Sequence, residues 1–188
     1  MKNLCISAAL AALTVLLLSN SSTQANNQGG GGPRRFSTLL STFNEVPPKA
    51  NGANGTFLAE LSADGTTLNW TFTWAGLTGP PLFAHIHFGL EGGNYPVMTF
   101  FCGGPVGDPA VPPKPACPQN TSGSMTGTTT AADIIALDTP GPNDQALGLH
   151  DFAGFLRALA GGATYANMHT TRFPGGEIRG QITGETGQ

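Results

Sequence analysis

Charged side chains are scarce in this 188-residue chain, where only 10% of residues are Asp, Glu, Lys or Arg and the net charge is -3. With 8 basic against 11 acidic residues, the cationic excess that a phosphate backbone demands is missing, which excludes nucleic acid as the partner. Unbroken helical stretches are missing too, because 27 Gly and 15 Pro punctuate the sequence and rule out a long-helix architecture. At 39% apolar the chain is still too hydrophobic for a disordered tail and too short for several large domains. One modest globular domain is expected.

A single long apolar run occurs, residues 4–18, between Lys2 and a polar stretch that ends in Thr23-Gln24-Ala25. That order describes a secretory signal peptide, residues 1–25, and the run falls short of the roughly 20 apolar residues of a membrane span. Cleavage after Ala25 leaves no transmembrane anchor and sends the protein to the periplasm or the extracellular space. Only Lys49 and Lys114 remain as lysines after that cut. Residues 26–35 contain four consecutive Gly and read as a flexible linker. The folded domain is expected over residues 36–184, with a short tail at 185–188.

Cysteine is nearly absent: Cys5 leaves with the signal, and Cys102 and Cys117 remain in a chain bound for an oxidising compartment. A disulfide between them is the simple expectation, and their spacing matches neither a Cys-x-x-Cys redox pair nor a zinc set. It would close a Pro-rich loop.

What the chain does have is a period of two. In residues 67–74 the apolar Leu68, Trp70, Phe72 and Trp74 alternate with Thr67, Asn69, Thr71 and Thr73, which puts one face on a core. Residues 56–62 precede this strand across Ala63-Asp64-Gly65, a hairpin turn in which Gly takes positive φ. Further strands are expected at 36–43, 82–88, 97–102, 122–129, 164–170 and 177–183. One segment, residues 151–160, carries Phe152, Phe155, Leu156 and Leu159 at helical spacing and ends at Gly161-Gly162. The expected fold is all-β, an antiparallel Greek-key-like sandwich or barrel with one short amphipathic helix on a sheet edge.

Of the four His, two form His85-Ile86-His87 inside a strand, where positions two apart share a face. Ala84, Ile86 and Phe88 then enter the core while both imidazoles project together from the other side. Residues 164–170 divide the same way, with Tyr165, Asn167 and His169 opposite Ala166 and Met168. If the strands are neighbours, His85, His87 and His169 converge on a polar surface beside Glu177 and Arg179. Three imidazoles without a thiolate suit Cu(II), with Zn(II) as the alternative. His150 reads first as a capping or surface residue and second as a fourth ligand. Tyr165, Asn167, Glu177 and Arg179 are expected to support the ligands, with Glu177 and Arg179 as a cross-strand ion pair. A site open beside Arg179 favours small anions.

Three ordered motifs carry a family resemblance: Asn44-Glu45-Val46-Pro47-Pro48, Ala84-His85-Ile86-His87-Phe88-Gly89, and residues 165–170 followed by Gly175-Gly176-Glu177-Ile178-Arg179-Gly180-Gln181. Together they resemble the CHRD domain, first described in chordin and widespread in secreted microbial proteins. The resemblance implies an all-β extracellular domain. It does not imply growth-factor antagonism, because the Cys-rich modules that accompany the domain in chordin are missing. Gly93-Asn94-Tyr95-Pro96 stands where the family usually has Asn-Gly-Pro. In addition, His87-Phe88-Gly89 is similar to a copper-ligand element of copper/zinc superoxide dismutase, without the bridging His and zinc loop of a binuclear site. An H-x-H plus one His specifies ligands without specifying a reaction, so dismutation stays an open activity. The expected function is therefore a secreted metal-binding domain with a storage or redox-protective role. The alternative is a non-enzymatic module that displays loops to an extracellular protein or glycan.

Overall fold

The computed structural model describes residues 34–105 and 109–185. The expected signal peptide, most of the linker and the last three residues of the tail lie outside that range. Among the described residues nine strands form: β1 (Arg35–Ser41), β2 (Asn54–Leu61), β3 (Leu68–Ala75), β4 (Pro81–Phe88), β5 (Val97–Cys102), β6 (Gly123–Thr129), β7 (Thr164–Thr170), β8 (Ile178–Gln181) and β9 (Thr183–Glu185). One helix, α1 (Phe152–Ala160), precedes β7. Every strand pair is antiparallel, in the order β5-β4-β7-β8-β1-β2-β3-β6, with β9 also on β1.

The alternation read from the sequence sets the core. On β3, Leu68, Trp70, Phe72 and Trp74 are all buried. Phe101 of β5, from the far end of the strand order, stacks on Phe57 of β2 at 5.2 Å and meets Trp70 at 4.6 Å. The sheet therefore rolls into a nearly closed barrel, so that its two ends bury their apolar faces against each other. Gly65 takes φ +74 in the β2–β3 turn, as the hairpin requires.

Three boundaries differ from the sequence reading. Arg35 pairs with Glu60 in β1 and the Arg34 guanidinium donates to the Leu61 carbonyl, so the folded domain claims the last two linker residues. The final strand is interrupted at Ile182, whose buried side chain sits in the core while its N–H turns to Thr164 O. Beyond it, β9 resumes pairing with β1 and takes in Glu185 from the expected tail. The helix begins at Phe152, with Asp151 as its cap: one carboxylate oxygen accepts from Gly154 N–H at 2.7 Å. Phe155 and Leu159 enter the core, and α1 lies against β9.

Cys102 and Cys117 form the expected disulfide, with Cα atoms 4.9 Å apart. Closing a loop of this length is worth about 3 kcal/mol.

Candidate metal centre

β4 lies between β5 and β7, so its outward side chains are framed on both sides. Across β7, Phe83 faces His169, His85 faces Asn167 and His87 faces Tyr165. Register shifts at Ala84/His85 and Ile86/His87 against β5 re-aim the two imidazoles. The inner positions Ala84 and Ile86 are fully buried, as the alternation requires.

The outer face is not the open polar surface that the sequence pattern implies. His85 is 4% exposed and His87 8%. The segment after β4 folds back over them, and the Tyr95 ring sits so close to Gly89 that a Cβ there would lie 2.1 Å from it. This close approach is the physical reason for a glycine after His87-Phe88, and it brings the Tyr95 carbonyl onto His87 Nδ1. Phe100 stands edge-on to His85 at 5.0 Å, and Tyr165 stacks on His87 at 4.5 Å.

His85, His87 and His169 converge. Each offers a ring nitrogen, and the three nitrogens lie within 4.8 Å of one another. A common point thus lies no more than about 2.8 Å from each, a small rotamer adjustment from the ~2.0–2.1 Å of a metal–imidazole bond.

The hydrogen bonds fix which nitrogens are free. His87 Nδ1–H donates to Tyr95 O, and His169 Nδ1–H donates to Pro174 O at 2.7 Å. Both Nε2 atoms are therefore lone-pair acceptors. Asn167 sits between them, its Nδ2 3.0 Å from His169 Nε2 and its Oδ1 3.2 Å from His87 Nε2. One acceptor thus faces another at His87. Turning the amide over moves the conflict to His169 and does not remove it. His85 Nδ1 is buried with no hydrogen-bond partner among the described residues. Protonation does not relieve the mismatch either: burial pushes the His87 pKa down to about 4 and holds His169 below its ordinary value. His85 is driven well below that value, first by burial and then by the two neighbouring imidazoles. Neutral imidazoles with oriented lone pairs are what a transition-metal ion requires, and backbone carbonyls on the opposite ring nitrogens are how such ligands are held.

Arg179 supports the group from behind. Its Cζ lies 4.2 Å over the Tyr165 ring, on which His87 is stacked. Its guanidinium donates to Gly93 O at 2.7 Å and Asn94 Oδ1 at 2.6 Å, and its Nε lies 3.2 Å from Glu45 Oε2. Asn44 Nδ2 donates to Arg179 O at 3.1 Å. Three distant motifs thus meet, two of them braced around one arginine, and Asn94, from the segment that departs from the family pattern, receives one arm of it. Arg179 is nearly buried and its two terminal nitrogens are taken by Gly93 and Asn94, so it is not the exposed anion guide expected from sequence. Burial of Glu45 pushes its carboxyl pKa up against the opposing pull of Arg179.

The expected Glu177–Arg179 ion pair is corrected: the two have different partners. Glu177 precedes β8, outside its alternation, and turns to Thr78, Asn51 and Thr170. His150 is not brought to the group. It takes a positive φ of 62, and its Nε2 is 2.9 Å from Ala110 O. Glu45, Tyr95 and Pro174 went unnoticed as site residues, the last two because they act through backbone carbonyls that no side-chain pattern marks.

These features define a class: an antiparallel β-barrel with a three-histidine group in which His85 and His87 are buried and His169 is half-buried. A family model for the CHRD domain matches residues 36–182, and the chain belongs to the CHRD-domain family. No curated protein matches the sequence. No helix among the described residues is long and apolar enough to cross a membrane.

Proposed function

We propose that this CHRD domain binds one transition-metal ion, copper before zinc, through His85, His87 and His169, outside the cytoplasm. Its role is metal holding or protection against redox damage, and superoxide turnover by the loaded protein is the activity to assay. The observation that carries the reading is the lone-pair conflict at Asn167: two imidazoles present Nε2 acceptors to one amide, and a cation among them turns the conflict into coordination. Leaving such buried acceptors unmatched costs about 1–3 kcal/mol each. The secretory reading rests on residues 1–25 and agrees with the disulfide.

Calorimetric titration of the mature protein with Cu(II) and Zn(II), beside His85→Ala, His87→Ala and His169→Ala variants of verified fold, tests the site. Binding near 1:1, lost in each variant, is expected. Binding no stronger than that of a His-free control for Cu(II), for Zn(II) and for Cu(I) added under anaerobic reducing conditions overturns it and leaves a display module with a structural polar network. N-terminal sequencing of exported protein tests the secretory reading, with Asn26 as the expected first residue.

A further inference from the structure

The metal-binding reading leaves the charge of the ion open, and the surroundings of the three imidazoles decide it. The donor group consists of His85, His87 and His169 alone, with no carboxylate or thiolate among its members. The two acids nearest in the architecture are spent elsewhere: Glu45 faces Arg179, and Glu177 is bound to Thr78, Asn51 and Thr170. The formal charge close behind the site is positive, the Arg179 guanidinium above Tyr165, one aromatic ring removed from His87. His85 and His87 are more than nine-tenths buried, His169 is half-buried, and Phe100 and Tyr165 wall the group with aromatic surface.

An ion entering such a site gives up water for neutral nitrogens. The desolvation cost grows with the square of the charge, so a divalent ion faces roughly four times the penalty of a monovalent one. Zinc also requires a fourth ligand, and its usual way of neutralising charge is a thiolate or carboxylate. On an exposed H-x-H pair the ordinary affinity order places Cu(II) first. Burial without a counter-charge reverses that preference, because Cu(I) carries one charge and is content with two or three nitrogens.

We infer that the three-histidine group is a Cu(I) site, selecting the monovalent ion over Cu(II) and Zn(II) by a neutral donor set, two of its three members buried, backed by a cation. This rests on the metal-binding reading above. Asn167 is then a specificity residue, because it holds a neutral amide where a carboxylate would supply the missing charge.

The test is competitive metal binding to the mature protein: Cu(I) under anaerobic reducing conditions against bathocuproine disulfonate, and Cu(II) and Zn(II) against chelators of known affinity. Cu(I) is expected to bind at least about tenfold more tightly than either divalent ion. Asn167→Asp, which adds one negative charge at nearly constant shape, is expected to shrink that ratio by at least about tenfold, mainly through tighter divalent binding. Phe83→Glu, at a half-buried position facing His169, places the charge differently should the first variant not fold. Wild-type protein that holds Zn(II) or Cu(II) as tightly as Cu(I) overturns the inference and leaves the metal site standing. So does a ratio that neither variant moves. Failure of all three ions to bind overturns the metal reading itself, and the inference with it.

Discussion

Two polar centres share the β7–β8 hairpin, one held by Thr170 and the other by its neighbour His169, and they are finished differently. Glu177 is fully buried and receives four donors: Thr78 N–H and Thr78 Oγ1, each at 2.9 Å, Asn51 Nδ2 at 3.3 Å, and Thr170 Oγ1 at 2.7 Å. In the histidine group His85 and His87 are almost as buried, yet the group pairs an acceptor with an acceptor and leaves His85 Nδ1 without a partner among the described residues. A barrel able to satisfy one buried polar group so completely is under no general constraint that prevents it from satisfying another. The first centre is architecture that ties the hairpin to the β3–β4 connection and to the segment before β2. The second has the incompleteness of a binding site.

Breaking Glu177 gives the largest effect expected from this contrast. Glu177→Ala strands four donors in the interior and lowers unfolding free energy by at least about 3 kcal/mol, read by denaturant titration. His85→Ala in chelator-treated protein costs clearly less, and an equal loss erases the distinction. Loading the site adds stability in turn: an ion at 100 times its Kd contributes about 2.7 kcal/mol, seen as a higher thermal midpoint and absent in His169→Ala.

Acid acts on the metal-free protein in a defined direction. His87 has a folded pKa of about 4, below its unfolded value of 6.5, so the unfolded chain takes up protons that the native state refuses. This stability is complete above pH 6.5 and drains away as pH falls through about 4, and His85 and His169 act in the same sense. Glu45 works against them, since its raised pKa strengthens the fold as pH falls towards 4.5. Three imidazoles against one carboxyl leave a net fall, measurable as a lower midpoint at pH 5 than at pH 7. An unchanged midpoint breaks the account. The smallest effect is at Gly89→Ala, where the added methyl displaces Tyr95 and frees His87 Nδ1. Metal affinity is expected to drop about tenfold with the barrel intact, as is usual when a ligand's outer hydrogen bond is lost.

The same contrast explains what could be read from residue order. β3 was legible because its alternation records one dry face, and the H-x-H pair was legible because positions two apart on a strand must share a side. The burial of that side was not. Tyr165, Asn167 and His169 alternate with Ala166 and Met168 as a solvent-facing strand would, and only the return of Tyr95 over Gly89 encloses the histidine face. Glu45 and Arg179 are brought together by the adjacency of β1 and β8, and no periodicity links such distant positions. Glu177 departs from its expected pairing because it lies one residue ahead of the start of β8, where the strand alternation does not yet hold.

The disulfide has a consequence for durability in a protease-rich setting. Its loop is also tied by Gly103 N–H to Pro115 O, by Lys114 N–H to Gly104 O, and by Lys114 Nζ to Asp133 at 2.7 Å. A peptide bond cut anywhere between Cys102 and Cys117 leaves the two fragments covalently joined. The N-terminal fragment would hold His85 and His87, the C-terminal one His169, and the nicked chain would still carry all three imidazoles on one molecule.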